Sequence, residues 1–333
     1  MKFKPFFLFL IILSITACEE NMPTKSPLEV NDPALHKIIS PNAVIDTLAE
    51  GFTWSEGPVW VEKEQMLIWT DVPSNIAWSW KEGQGKQEYL NPSGYTGIGK
   101  KEGANGLIIN QAGQLVLCQH GDRSVAIMDT SLNSPQSKFK ILANNYQGKK
   151  LNSPNDIVQD KAGTYWFTDP PYGLPKLMDD PEKELDFQGV YRFGHLPNKD
   201  TLELMTDELS LPNGLAFNPD ESVLYVANSD PKRAIWMKYT LDETNNFVGK
   251  GEVFFDATEW VATKKGLPDG LKVRADGIIF ATGPGGVLVF TPEGKHLGTI
   301  NTGQATANCA LNEAGTMLYM TAHNYVMRIP LLR

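Results

Sequence analysis

Short apolar runs separated by turn residues recur along the chain, and six of them begin in the same way. In each copy a small or turn-forming residue precedes an Asn, Asp or Glu, and two apolar stretches joined by a turn follow. The copies begin at intervals of 39 to 58 residues, at Glu56, Asn105, Asn155, Asn213, Asp269 and Asn308. A repeat of this length is typical of propellers and solenoids, in which each copy forms one supersecondary unit.

The turns between the paired apolar runs contain Gly or Asp, as at 111–113, 161–163 and 275–277, which is typical of short β-hairpins. Only residues 257–265 carry a weak helical pattern. We therefore predict an all-β fold, a six-bladed β-propeller over residues 41–333. The strand-like run at 43–49 should pair with the last blade as its outer strand and close the ring. A linear solenoid would need capping units, and neither end of the chain resembles one.

Composition and net charge indicate which kinds of ligand the protein can bind. The chain is 41% hydrophobic and 21% charged, as is usual for a soluble globular protein. Its formal charge of −9 argues against nucleic acid as a partner and is compatible with a cation site. Cys118 and Cys309 each lie inside an apolar run, so we expect small buried hydrophobes in preference to a disulfide.

The N-terminus is predicted to be a targeting signal. Residues 1–17 combine two lysines with a short apolar stretch, which indicates a secretory signal, and they end at Cys18 in a sequence that resembles the bacterial lipobox. We expect residues 18–40 to be a flexible tether and a lipid on Cys18 to be the only membrane attachment. The protein would then be an exported bacterial lipoprotein, periplasmic or on the cell surface. A plain cleaved signal with an incidental Cys is the alternative.

The six polar residues that head the copies are the candidate site. In a propeller the first strand of each blade lines the central channel, so these side chains should converge at one mouth. Carboxylates and amide carbonyls are hard oxygen ligands, which suit calcium or magnesium. The alternative is turn chemistry, because Asn-Gly and Asp-Gly are turn dipeptides. Glu56 favours the site, since Glu is a poor turn residue.

Four of these motifs resemble those of the regucalcin, gluconolactonase and luciferin-regenerating-enzyme family, in its microbial gluconolactonase-like branch. They are Glu56-Gly57-Pro58-Val59-Trp60, Pro154-Asn155-Asp156, Pro212-Asn213-Gly214-Leu215-Ala216-Phe217 and Pro268-Asp269-Gly270. The resemblance implies a six-bladed propeller with one divalent metal ion in the channel. By position, Glu56, Asn213 and Asp269 match metal ligands, and Asn155 matches a residue that binds metal or substrate.

A further segment, from Cys118 to Arg123, resembles a part of the microbial gluconolactonases that lies near the substrate. It makes His120 and Arg123 candidate substrate-binding residues, although each could equally be structural. Animal members carry an Arg at the position of Ser153, so the resemblance gives no basis for inferring their sugar-acid specificity here. Asp169 is either a turn residue or a support for a neighbouring ligand.

The resemblance implies a lactonase. The ion, expected to be Ca²⁺ with Mg²⁺, Mn²⁺ or Zn²⁺ as alternatives, would be held by Glu56, Asn155, Asn213 and Asp269. Asp269 would be the catalytic base, while Asn105 and Asn155 would orient a small lactone substrate. Two alternatives stay open: a non-catalytic binding propeller with structural calcium, and a phosphotriesterase-like hydrolase, because related organophosphate hydrolases use the same Glu, Asn, Asn, Asp order.

Overall fold

Six antiparallel sheets form the blades of a β-propeller in the computed structural model, which describes residues 26–194 and 202–333. Each blade has its first strand innermost. The strands of blades one to three are Ser55–Val61, Met66–Asp71, Ile76–Lys81, Gly85–Leu90; Ala104–Ile109, Leu115–Gln119, Ser124–Met128, Phe139–Ala143; Ile157–Gln159, Tyr165–Asp169, Gly189–Phe193, Glu203–Thr206. Those of blades four to six are Pro212–Phe217, Val223–Asp230, Arg233–Thr240, Glu252–Asp256; Leu271–Val273, Ile279–Gly283, Gly286–Phe290, His296–Ile300; Asn308–Leu311, Met317–Ala322, Tyr325–Pro330, Asp46–Glu50.

The ring closes as predicted. The first strand of each blade packs against the first strand of the next, and Asn308–Leu311 returns to Ser55–Val61. The outer strand of blade six comes from the other end of the chain: Asp46–Glu50 pairs antiparallel with Tyr325–Pro330, with Asp46 opposite Arg328. The predicted six-bladed architecture and its closure by the N-terminal strand are both confirmed.

Residues 26–40, predicted to be part of a flexible tether, are instead packed on the propeller. Leu28–Val30 adds a fifth strand to blade five by pairing with His296–Ile300, and a 3-10 helix follows at Pro33–Lys37. Leu35, Ile38 and Ile39 are buried in the core between blades five and six. These apolar side chains anchor the segment, so it belongs to the folded body. The predicted signal sequence at 1–17, the predicted lipid site at Cys18 and the rest of the predicted tether, to residue 25, lie outside the described residues.

Little structure other than blades is present in the part of the chain described. Four more 3-10 helices occur at Glu62–Glu64, Val72–Ser74, Leu177–Asp179 and Thr258–Trp260, and a two-stranded hairpin joins Asn145–Tyr146 to Lys149–Lys150. The weak helical pattern at 257–265 therefore yields one short 3-10 turn. Within the described ranges no helix has the length and apolarity needed to cross a bilayer.

The core lies between neighbouring blades. For example, Trp166 and Val190 of blade three pack against Leu215, Val226 and Ile235 of blade four. Replacing a buried Trp by Ala at such a seam costs about 3–5 kcal/mol. The seams thus hold the blades at fixed angles around the channel.

The thiols of Cys118 and Cys309 are free and buried in two different seams, which confirms that they act as small hydrophobes. The predicted hairpin turns also form, with Gly113 at φ +76° and Gly163 at φ +92°, where other residues would be strained.

Candidate functional site

Three of the repeated polar residues lie at β-bulges. The register of the first strand against the second shifts just after Glu56, and it shifts again around Asn105 and Asn213 in blades two and four. A bulge bends the strand and redirects the side chain at that point. The chain therefore departs from regular pairing at the positions where it needs a polar group near the axis.

The glycine that follows the polar residue allows neighbouring blades to approach each other closely. A Cβ on Gly57 would lie 2.0 Å from the carbonyl oxygen of Asn105, and one on Gly214 would lie 2.3 Å from that of Asp269. Gly106 approaches the next blade in the same way. Because the dipeptides at 105–106 and 213–214 lie inside strands, turn chemistry does not explain them there.

A cavity of about 570 Å³ opens at this mouth of the channel. Six of the seven predicted site residues line it: Glu56, Asn105, His120, Asn155, Asn213 and Asp269. A larger groove of about 940 Å³ runs along residues 141–148 and has none of the predicted site residues in its lining. The chemistry-bearing side chains therefore meet in the smaller, central cavity.

Asn308, which heads the sixth copy, is buried but is not among the residues that line the cavity. Its Oδ1 accepts from the backbone N–H of Cys309 at 2.8 Å, and its Nδ2 donates to Asp156 Oδ2 at 3.4 Å. Asp156 is itself 2% exposed. The sixth repeat thus supports a buried carboxylate that the sequence did not single out.

Three side-chain oxygens at the mouth have no hydrogen-bond partner among the described residues: Asn105 Oδ1, Asn213 Oδ1 and Asp269 Oδ1. The amide of Asn213 is oriented, because its Nδ2 donates to Ser229 Oγ at 2.9 Å and leaves Oδ1 free. Buried acceptors without donors are costly unless something electropositive meets them. Such an oxygen set fits a hard cation.

Burial and mutual repulsion destabilise the ionised form of the carboxylates at the mouth. Burial raises the pKa of Glu56 to about 7, and the charge of Asp156 adds to this, while a hydrogen bond from the Gly57 N–H opposes it. Burial also raises the pKa of Asp269 well above its ordinary value, and the charges of Glu56 and Asp156 push in the same direction. Protons or a cation must neutralise this cluster. In the described ranges no three His, Cys, Asp or Glu side chains form a metal cluster, so any ion here would depend on the amide oxygens as well.

Carboxylates at the ends of second strands hold the loops that lead into the site. Asp71 Oδ1 accepts from the backbone N–H groups of Thr53 and Trp54, just before Glu56. Asp169 does the same before Asn155, since its two oxygens accept from the N–H groups of residues 152 and 153 at 2.7 and 2.8 Å. Asp169 therefore holds the backbone of the loop before Asn155, and among the described residues it makes no hydrogen bond to the side chain of a predicted ligand.

His120 and Arg123 have different positions although they come from one motif. His120 is 2% exposed and lines the cavity, with Nδ1 3.0 Å from Glu102 Oε2. Arg123 lies away from the cavity, and its guanidinium donates to the backbone carbonyls of Leu151 and Glu182, each at 2.7 Å. The structure therefore does not bring Arg123 to the site and gives it a role in holding loops.

Several lining residues were not predicted as site residues: Trp54, Glu102, Tyr172 and Lys264. They come from loops outside the repeated motif, so no sequence repeat marks them. Ser153, where animal members of the family carry Arg, donates through Oγ to the carbonyl of Pro170 at 2.6 Å and accepts from the N–H of Gly173 at 2.8 Å. It closes the loop that carries Tyr172.

Comparison with known proteins agrees with this architecture. Residues 54–324 match the SMP-30/Gluconolactonase/LRE-like region. A gluconolactonase of Zymomonas mobilis is 35% identical over 95% of this chain and 90% of its own length. The structure of a gluconolactonase from Xanthomonas campestris superposes with a TM-score of 0.77 at 30% identity, covering 92% of this chain and 95% of that one.

A calcium-binding regucalcin from Agrobacterium tumefaciens shares the fold with a TM-score of 0.67 at 18% identity, over 87% of this chain and 96% of that one. The family match covers the four strands that start at the channel in each of blades one to five and the two inner strands of blade six, and the four motifs predicted to carry the resemblance lie within it. The chain belongs to the SMP-30/gluconolactonase/LRE-like family.

Proposed function

We propose that this protein is a metal-dependent lactonase. The observation that carries the proposal is one cavity in which the carboxylates of Glu56 and Asp269 meet three asparagine side chains. Three oxygens of this set lack partners among the described residues. The lactonases of Zymomonas and Xanthomonas support the reaction class. The expected substrate is a small cyclic ester.

Glu56, Asn155, Asn213 and Asp269 would hold one divalent cation, for which Ca²⁺ fits best because all donors are oxygens. The raised pKa values of Glu56 and Asp269 are those of a carboxylate cluster without a counter-charge, which supports a resident cation. When bound, the ion supplies Lewis acidity for the lactone carbonyl and positive charge for the oxyanion that develops on it.

The chain's own residues would carry the proton and orient the ring. Asp269 Oδ1 would accept a proton from the water that attacks the carbonyl carbon. A carboxylate that also ligates a cation is a weak base, so it would work through its position. The ring C–O bond then breaks, the ring oxygen takes a proton, and an open hydroxy acid leaves. Asn105 and Asn155, both at the mouth, would orient substrate hydroxyls.

A pH-stat assay of a lactone panel, with and without chelator, tests this function. The wild-type protein should release acid from a hydroxylated lactone, lose this activity in chelator and regain it with Ca²⁺. Asp269→Ala should abolish it, while Asp207→Ala, at an exposed carboxylate, should not. Activity that survives Asp269→Ala undiminished would contradict the proposal. A metal that raises only the melting temperature, with no lactone opened, would favour a binding propeller, and hydrolysis confined to phosphotriesters would favour the organophosphate hydrolases.

We also propose that the chain is exported and lipidated on Cys18, on the basis of the apolar signal and the lipobox-like sequence before it. Membrane fractionation of wild type and Cys18→Ser tests this. The wild-type protein should be recovered with membranes and the variant in the soluble exported fraction. Equal distribution of the two would contradict lipid anchoring.

A further inference from the structure

His120 is held in one position from several sides. Its backbone N–H donates to the carbonyl of Gly103 at 3.1 Å, at the end of a strand of blade two. A Cβ on Gly173 would lie 2.6 Å from the Cβ of His120, so the loop of blade three packs closely on the ring. These contacts fix the backbone and the Cβ of His120, and its buried side chain lines the cavity.

Glu102 determines which ring nitrogen carries the proton. Its Oε2 lies 3.0 Å from Nδ1 of His120. An ionised carboxylate only accepts hydrogen bonds, so Nδ1 must be the donor, and in the neutral ring Nε2 is an unprotonated acceptor.

The Nε2 atom has no hydrogen-bond partner among the described residues, although it is buried. A buried acceptor of this kind is normally satisfied by a donor. Asn105, on the same cavity wall, leaves its Oδ1 without a partner as well. The site thus offers acceptors where a ligand would have to supply donors.

The charge near His120 disfavours an anionic group as that donor's carrier, because the proposed cation would offset Glu56 and Asp269 but not Glu102, whose Oε2 lies 3.0 Å from Nδ1. Glu56, Glu102 and Asp269 line the cavity, whereas Lys264 is the one lysine or arginine among the described lining residues. The Nζ of Lys264 lies 3.0 Å from a carboxylate oxygen of Glu29, so its charge is already paired. A neutral hydroxyl fits these surroundings better than a carboxylate or a phosphate.

Resting on the proposed lactonase function, we propose that His120 Nε2 accepts a hydrogen bond from a ring hydroxyl of the lactone and that Glu102 is the positioning residue that keeps Nε2 in acceptor form. The pair makes the enzyme selective for hydroxylated lactones over unsubstituted ones. A site built to pair with a hydroxyl discriminates against an analogue that lacks it.

The test compares D-glucono-δ-lactone with δ-valerolactone, which lacks the hydroxyls, in wild type, Glu102→Gln and His120→Ala. Both variants should lose roughly tenfold in kcat/KM for the hydroxylated lactone, the scale of one hydrogen bond, and little for δ-valerolactone. Glu182→Gln is the matched control, because this exposed carboxylate pairs with Lys101 and is not among the residues lining the cavity. Equal losses on both lactones, or no loss on either, would overturn the proposal.

A second readout does not depend on turnover. Nitrogen-15 NMR of the His120 side chain should show a protonated Nδ1 and a bare Nε2 in wild type, and a mixture of tautomers in Glu102→Gln. Titration with the non-hydrolysable D-glucono-δ-lactam should shift Nε2 in wild type only. If the wild-type protein opens no lactone yet these shifts occur, the proposed activity fails while the recognition stands. A wild-type ring protonated on Nε2, or a lactam that leaves Nε2 unshifted, would overturn the recognition.

Discussion

The hydroxyl of Thr168, in blade three, donates to the backbone carbonyl of Asn213, in blade four, at 2.7 Å. Thr70 and Thr282 make the corresponding bonds to the carbonyls of residues 105 and 307 across two other seams, at 3.1 and 2.8 Å. Each of these threonines lies near the end of a second strand and reaches the next blade, at its inner strand or, for Thr282, at the residue just before that strand. The same contact that joins two blades therefore fixes the backbone of a site residue.

Replacing Thr168 by Val should weaken both the fold and the site. The change keeps the shape but leaves the carbonyl of Asn213 without its donor and the N–H of Asp156 without its acceptor. We expect a loss of about 1–3 kcal/mol in the free energy of unfolding, measured by denaturant titration, together with weaker Ca²⁺ binding.

The control is Thr47→Val, at an exposed strand position, which should change neither quantity. Should Thr168→Val bind Ca²⁺ and unfold like the wild type, the contact between blades would have no part in shaping the site.

The affinity of the protein for calcium should fall as the pH drops below about 7. Without an ion, the pKa of Glu56 is raised to about 7, so below that pH the carboxyl is protonated and the cation must displace the proton. The association constant should therefore fall by at least about tenfold per pH unit below pH 7, and more steeply wherever Asp269, whose pKa burial also raises, is protonated as well.

Calorimetry in two buffers of different ionisation enthalpy measures this directly, because it counts the protons released on binding. Glu56→Gln should bind more weakly and release fewer protons. An affinity that stays constant from pH 5 to pH 8 would mean that no such carboxyl takes part.

The N-terminal segment should contribute to stability. Leu35, Ile38 and Ile39 are buried, and each such side chain contributes about 1.5–3 kcal/mol. A chain that begins at residue 43 should therefore have a free energy of unfolding about 3 kcal/mol or more below that of a chain that begins at residue 26. Denaturant titration of the two chains measures the difference. Identical unfolding of the two would show that the segment adds nothing.

The fold was predictable because its information is repeated. The copies from Glu56 to Asn308 recur with the same turn chemistry. Because a closed ring leaves no free edge, the run at 43–49 was expected to pair with the last blade as its outer strand. Leu28–Val30 escaped prediction because a three-residue strand shows no period, and its pairing depends on a free edge of blade five.

The candidate site was predictable to the extent that it follows the repeat. Five of the six repeated residues line one cavity, whereas Glu102 and Tyr172 come from loops with no repeated signal. Arg123 illustrates the limit of a motif: its backbone is left-handed, at φ +56°, and its side chain leaves the cavity only three residues after His120. Direction at a turn is set by tertiary contacts, which a linear motif does not encode.

Titration of metal-stripped protein with Ca²⁺, followed by calorimetry and by lactone opening in the same samples, tests most directly whether Glu56, Asn155, Asn213 and Asp269 hold one catalytic ion. We expect one ion per chain, a binding midpoint that coincides with the return of activity, and the loss of both in Asp269→Ala but not in Asp207→Ala. Full lactonase activity in protein free of divalent metal, or unaltered calcium binding by Asp269→Ala, would contradict the assignment of these four residues to a catalytic ion.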